Sequence, residues 1–141
     1  MRSLKRNEKW IIKMNEEADN PLVLVIDDEE MVARATCDML EHLGYRTASS
    51  SSGKAGVEYY KKHPDEVDLI ILDCRLSDLP GALVFDQIRS INPKQNILLA
   101  TGLGLDETTS EMMSKGCDNY IQKPYGLKKL SETLEQIRIT H

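Results

Sequence analysis

The sequence predicts an α/β fold, a doubly wound sheet of five parallel strands each followed by a helix. Three observations carry that prediction. Leu22-Val23-Leu24-Val25-Ile26 and Val67-Asp68-Leu69-Ile70-Ile71-Leu72 are apolar runs, rich in β-branched residues and too short for ordinary helices. Such runs read as strands buried on both faces. Both runs stop on carboxylates, Asp27-Asp28 and Asp73, and open α/β sheets bind ligands beyond the carboxyl ends of their strands. From Pro21 onward, strand and helix patterns alternate five times. That cadence implies right-handed crossovers and helices on both faces of the sheet.

Taken in order, the first strand is followed by a helical period from Glu29 to Leu43, with Val32, Ala35, Met39, Leu40 and Leu43 apolar and Gly44 as the stop. Tyr45 to Ser49 reads as a short second strand and Ser49 to Ser52 as a polar loop. Ser52 suits the N-cap of a helix from Gly53 to Lys62, which Pro64 closes. The central strand, Val67 to Asp73, precedes a loop and a helix from about Gly81 to Ser90, ended by Asn92-Pro93. Asn96 to Ala100 is a fourth buried strand ending at Thr101. The fourth helix, about Asp106 to Lys115, is thinly apolar: Leu105, Met112 and Met113 anchor it, its threonines and serine are weak helix formers, and Gly116 ends it. Asn119 to Gln122 is the fifth strand, stopping at Lys123-Pro124. The last helix has the best stripe, Leu127, Leu130, Leu134 and Ile137.

Length suits one domain with a proper core. A net charge of −5 argues against a nucleic-acid or anionic-membrane binder. Cys37, Cys74 and Cys117 form no C-x-x-C and are odd in number, which fits a reduced, cytoplasmic setting without structural zinc. No run approaches a membrane span of about 20 apolar residues. Residues 1–20 read as a basic leader or linker, with a single apolar cluster at Trp10-Ile11-Ile12. That cluster is shorter than the roughly 7–15 residues of a signal-peptide core. His42, His63 and His141 have no metal-like spacing and read as surface residues.

Asp73 alone reads equally well as a turn cap. Set beside Asp27 and Asp28 it becomes part of an acidic strand edge, and clustered acids persist only with a cation or a shared proton. Their hard oxygens suit Mg²⁺. In the flavodoxin-like order 2-1-3-4-5, strands one and three are neighbours and flank the topological switch point. Thr101 and Lys123 end strands four and five on the same edge. A hydroxyl and an ammonium facing acids and a metal form a phosphoryl-transfer site.

These residues resemble the receiver domain of two-component signalling. The match rests on Asp27-Asp28, Asp73, Thr101, Lys123-Pro124 and Tyr120 and runs from Pro21 to Ile139, with residues 21–141 as the domain. The run Gly116 to Pro124 is also similar to receivers fused to hybrid sensor kinases. The resemblance implies that Asp73 accepts a phosphoryl group from a phosphohistidine on a sensor histidine kinase or phosphotransfer protein. It implies Mg²⁺ held by Asp27, Asp28, Asp73 and the backbone carbonyl of Arg75, with Lys123 and Thr101 meeting phosphoryl oxygens. It also implies a cis Lys123-Pro124 bond and a switch in which Thr101 moves and Tyr120 turns inward. The surface of helix four, strand five and helix five would then carry the partner or homodimer contact. Such a chain assists its own phosphorylation and dephosphorylation without being an enzyme in the ordinary sense.

The sequence departs from the family where a proline is common four residues after the phosphoacceptor; Ser77 stands there, while Gly81 is kept and Arg75 lies second after Asp73. Two other readings stay open. A haloacid-dehalogenase-like phosphatase would need an acid where Arg75 stands. A degenerate receiver that only binds a protein would have lost an acid, the threonine or the lysine, and none is lost.

Overall fold

The computed structural model describes residues 20–102, 104 and 106–137. The strands are β1 (Leu22–Ile26), β2 (Arg46–Ser50), β3 (Val67–Asp73), β4 (Ile97–Thr101) and β5 (Asn119–Gln122). The helices are α1 (Glu30–His42), α2 (Gly53–Lys62), α3 (Gly81–Ile91), α4 (Glu107–Ser114) and α5 (Leu127–Gln136). The sheet has the order β2-β1-β3-β4-β5 and every pairing is parallel. The expected fold class and strand order are the observed ones.

Two cores flank the sheet, as period-two alternation requires. Leu24, Ile26, Ile70, Leu72 and Leu99 face α2, α3 and α4 through Val57, Tyr60, Phe85, Ile88 and Met112. Val23, Val25, Leu69, Ile71, Leu98 and Ile121 face α1 and α5 through Leu40, Leu130 and Leu134. Of the predicted stripe of α5, Leu130, Leu134 and Ile137 are buried, while Leu127 at the first position of the helix is exposed and Thr133 is buried in addition.

Element ends moved by a residue or so. β2 runs to Ser50 rather than stopping at Ser49, because parallel pairing with β1 continues through Ile26 and Ser50. Serines are tolerated there because β2 lies at the sheet edge. Ser52 caps α2 as expected, its hydroxyl accepting from the Ala55 N–H at 3.0 Å. Gly44 follows α1 at φ +97°, a left-handed turn that suits glycine. For α4, Asp106 and Lys115 are the caps rather than the ends of the helix, and Thr109 and Met112 are its buried residues. Met113 is half-buried, and Leu105 lies outside the described residues.

The register sets the functional edge. Ile26 pairs with Leu72, which brings Asp27 level with Asp73. Asp73 pairs with Ala100, and Thr101 with Gln122, so Lys123 leaves the sheet just beyond Thr101.

Candidate functional site

Asp27, Asp73 and Lys123 meet at the carboxyl edge of β1, β3 and β5. The Lys123 ammonium lies 2.8 Å from Asp27 Oδ2, 3.3 Å from Asp73 Oδ2 and 3.7 Å from Glu29 Oε1. The Lys123 N–H donates to the Thr101 carbonyl at 2.7 Å, which holds the lysine at the end of β5, and the Lys123-Pro124 bond that follows is cis, as expected. Asp27 and Asp73 are almost fully buried.

That burial raises the Asp73 pKa. The Arg75 N–H and the Lys123 cation oppose the shift, and the Asp27 charge reinforces it. Burial pulls Lys123 the other way, but its hydrogen bond to Asp27 and the Asp73 charge prevail, and its pKa is raised. The pocket therefore holds a firmly charged ammonium against a carboxylate of increased basicity.

Three carboxylates, from Asp27, Glu29 and Asp73, can each offer an oxygen within 4.8 Å of the others. A compact set of hard oxygens with one exposed member suits a divalent cation that keeps part of its water. Asp28 stands apart from this group. Its Oδ2 accepts the Ser77 N–H at 2.8 Å, tying β1 to the loop after β3. Proline at that position would have no N–H to give.

The remaining expected residues lie on the neighbouring elements. Thr101 is buried at the end of β4. The Arg75 N–H donates to Asp73 Oδ1 at 3.1 Å, and Arg75 bridges to Pro80 across the loop. Gly81 is required because a Cβ there would lie 2.7 Å from the Cys74 carbonyl oxygen, so α3 starts against the backbone that follows Asp73. Tyr120 is half-buried, packed on the α2–α3–α4 core. His63 is half-buried and its ring stacks on Tyr59 at 4.3 Å, while His42 is exposed and His141 lies outside the described residues.

Sequence reasoning missed Glu29 and Asp78. Glu29 directly follows the acidic pair at the start of α1, where the helix dipole favours an acid, and that was a readable signal. Asp78 accepts the Gly53 and Lys54 N–H groups at 2.9 Å each, so the loop after Asp73 caps α2 from a distance. No local pattern announces that contact. Beside the pocket, an apolar cleft of about 470 Å³ is lined by Met31, Val32, Ala35, Met39, Pro124 and Tyr125 among others.

A carboxylate–lysine pocket at the switch point of a parallel sheet defines an α/β domain built to handle a phosphoryl group. The chain belongs to the response regulator receiver domain family, whose profile it matches over residues 23–135. It is 29% identical over 116 residues to a chemotaxis protein CheY of Treponema pallidum, covering 82% of this chain and 81% of that one. It is also 29% identical over 118 residues to the transcriptional regulatory protein ZraR of Escherichia coli, covering 84% of this chain but only 26% of that protein. A receiver domain structure from Clostridium thermocellum superposes with a TM-score of 0.77 at 26% identity, over 82% of this chain and 91% of that one. Receiver domains are phosphoacceptors of two-component signalling rather than ordinary enzymes. They bind Mg²⁺ in an acidic pocket and interact with histidine kinases or phosphotransfer proteins. No described helix is long and apolar enough to cross a membrane.

Proposed function

We propose that Asp73 is the phosphoacceptor of this chain and that the phosphoryl group arrives from a phosphohistidine of a sensor histidine kinase or phosphotransfer protein. The observation that carries this reading is the buried Asp73 carboxylate, raised in basicity and held 3.3 Å from Lys123. An Asp73 oxygen attacks phosphorus, the O–P bond forms, and the N–P bond breaks with its electron pair left on the imidazole nitrogen. Lys123 binds a phosphoryl oxygen and opposes the charge that gathers there. Asp27, Asp28 and Asp73, with the Arg75 carbonyl, would hold Mg²⁺, and Glu29 stands close enough to join them. Bound Mg²⁺ supplies further neutralisation of the phosphoryl oxygens. Dephosphorylation follows when water attacks phosphorus and returns the Asp73 carboxylate and inorganic phosphate.

The apolar cleft beside Lys123 supports docking of the donor at the mouth of the pocket, since Met31 is 85% exposed there. Output is assigned to the α4–β5–α5 surface, where Thr101 and Tyr120 act as the switch and a partner or a second copy binds. Residues 21–141 constitute the receiver and residues 1–20 a leader or linker. The free thiols Cys37, Cys74 and Cys117 fit a reducing, cytoplasmic setting.

The test is labelling with an acyl phosphate donor. Wild type should take up one phosphoryl group in the presence of Mg²⁺ and none with chelator. Asp73→Asn should abolish the label, and Asp28→Ala should reduce it heavily. Mass spectrometry locating the group on another residue would defeat the assignment.

A further inference from the structure

Helix α4 is held at its two ends by polar contacts of different kinds. Its apolar face is thin, with only Thr109 and Met112 buried. At the carboxyl end, Arg89 of α3 donates to the Gly116 carbonyl at 2.9 Å and lies 3.8 Å from Asp118. The Arg89 guanidinium also sits 5.0 Å above the Phe85 ring and donates to the Pro93 carbonyl at 3.2 Å. Lys115 adds an ion pair to Asp86 of α3 at 3.6 Å. The Arg89 side chain is only 19% exposed, so this end is anchored within the packed structure.

The amino end depends on the two residues that directly follow Asp73. Cys74 Sγ lies 3.9 Å from the Thr109 hydroxyl. Arg75 Nη2 lies 3.8 Å from Asp106 Oδ2, while Asp106 Oδ1 accepts the Thr109 N–H at 2.8 Å. The Arg75 side chain is 71% exposed and has no other ion pair among the described residues. Its own N–H already donates to Asp73 Oδ1. One end of α4 is therefore fixed to α3, and the other is tied to the chain that carries the phosphoacceptor.

We propose that Arg75 is a releasable latch on α4: it holds the amino end through Asp106 while Asp73 is unmodified, and transfers to the phosphoryl oxygens when Asp73 is phosphorylated. The helix then pivots about the end that Arg89 fixes. A guanidinium prefers the new site because a phosphoryl group carries nearly two charges and three acceptor oxygens, which a planar fork meets bidentately. Asp106 offers one oxygen at ion-pair range, its other being engaged as the helix cap. Capping survives the exchange, so α4 loses a tether without unfolding. The latch rests on the reading of Asp73 as phosphoacceptor and adds a cation whose two partners are mutually exclusive.

Amide hydrogen exchange tests it, with Arg75→Gln as the main variant because it leaves the Asp106 cap and charge in place. In unmodified protein, the amides of the first turns of α4 should exchange about two- to fivefold faster in Arg75→Gln than in wild type, the range for losing a partly exposed ion pair. Amides near Lys115 should not change. Beryllofluoride with Mg²⁺ should produce the same acceleration in wild type and add little to it in Arg75→Gln, whereas Arg75→Lys, which keeps the charge, should lie between them. Adding Asp106→Asn to Arg75→Gln should cost less than Asp106→Asn alone. Exchange in the first turns of α4 that is unaltered by Arg75→Gln overturns the latch. So does a full beryllofluoride response in that variant. If beryllofluoride leaves the wild-type Asp73 and Lys123 resonances unmoved, the phosphoacceptor reading fails and the latch with it; if they move while both proteins respond alike in α4, only the latch fails.

Discussion

Replacing Lys123 by methionine removes the ammonium from the acidic pocket while keeping most of the side-chain volume. The lysine is 15% exposed, and the acids it touches at 2.8 and 3.3 Å, Asp27 and Asp73, are 5% and 6% exposed. Removing one partner of so buried a group costs about 3–5 kcal/mol, because the remaining charges lose their compensation. The Coulomb energy gives a similar figure. Two carboxylate oxygens within 4.8 Å of each other repel by at least about 3.5 kcal/mol at an effective dielectric constant of roughly 20. Without the lysine, Asp73 loses the cation that opposes the upward shift caused by its burial, so its pKa should rise further above that of the unfolded chain. Groups raised in this way favour the folded state below the unfolded pKa, and that advantage disappears as pH rises through the folded value. Lys123→Met should therefore be most destabilised near pH 7 and least near pH 4. The assay is urea unfolding in chelator at both pH values. With a slope of about 1–3 kcal/mol/M, the midpoint should fall by at least about 1 M at pH 7. A fall below about 0.3 M there, or an equal fall at both pH values, would refute the reasoning.

Three further outcomes are expected. Asp73→Asn should gain stability over wild type as pH rises from 4 to 7 in chelator, because burial raises the folded pKa of Asp73 and the wild-type carboxylate must ionise at a cost; melting curves showing a constant difference would count against it. Thr101→Ala should still accept phosphate at Asp73 but show weaker beryllofluoride shifts at Tyr120 and in α4, and an NMR response equal to wild type would exclude the switch role of the hydroxyl. Gly81→Ala should cost about 1–3 kcal/mol by overpacking, because its Cβ meets the Cys74 backbone at 2.7 Å and backbone cannot yield as a side chain can; an unchanged melting temperature would show that α3 shifts freely.

What the sequence disclosed followed from how each feature is encoded. Buried parallel strands need continuous apolar runs, so β1 and β3 were legible to the residue. Their carboxylate ends place Asp27 and Asp73 at one edge of the sheet. Lys123 was legible because β5 stops at a Lys-Pro pair. Contacts made by backbone amides were not legible. The Ser77 N–H on Asp28 and the Gly53 and Lys54 N–H groups on Asp78 depend on how two distant loops approach. The second strand was displaced by one residue because polar serines carry no burial signal, and its partner strand decides where it ends. Residues 1–19, with Trp10-Ile11-Ile12, lie outside the described residues.

The pocket is assembled from opposite ends of the chain, and this has a consequence for how the molecule is made. Asp27 and Asp73 sit on strands that pair directly, so they can come together once β1 and β3 have met. The cation that reconciles them is Lys123, just beyond β5, the edge strand that comes last in the chain order. A folding chain in which β1 and β3 pair before β5 has joined therefore brings the two acids together without their counter-charge. Such a partial structure is electrostatically disfavoured relative to both the open chain and the finished domain, which favours all-or-none behaviour. A half-formed sheet should thus bring Asp27 and Asp73 together without the cation that the finished domain supplies.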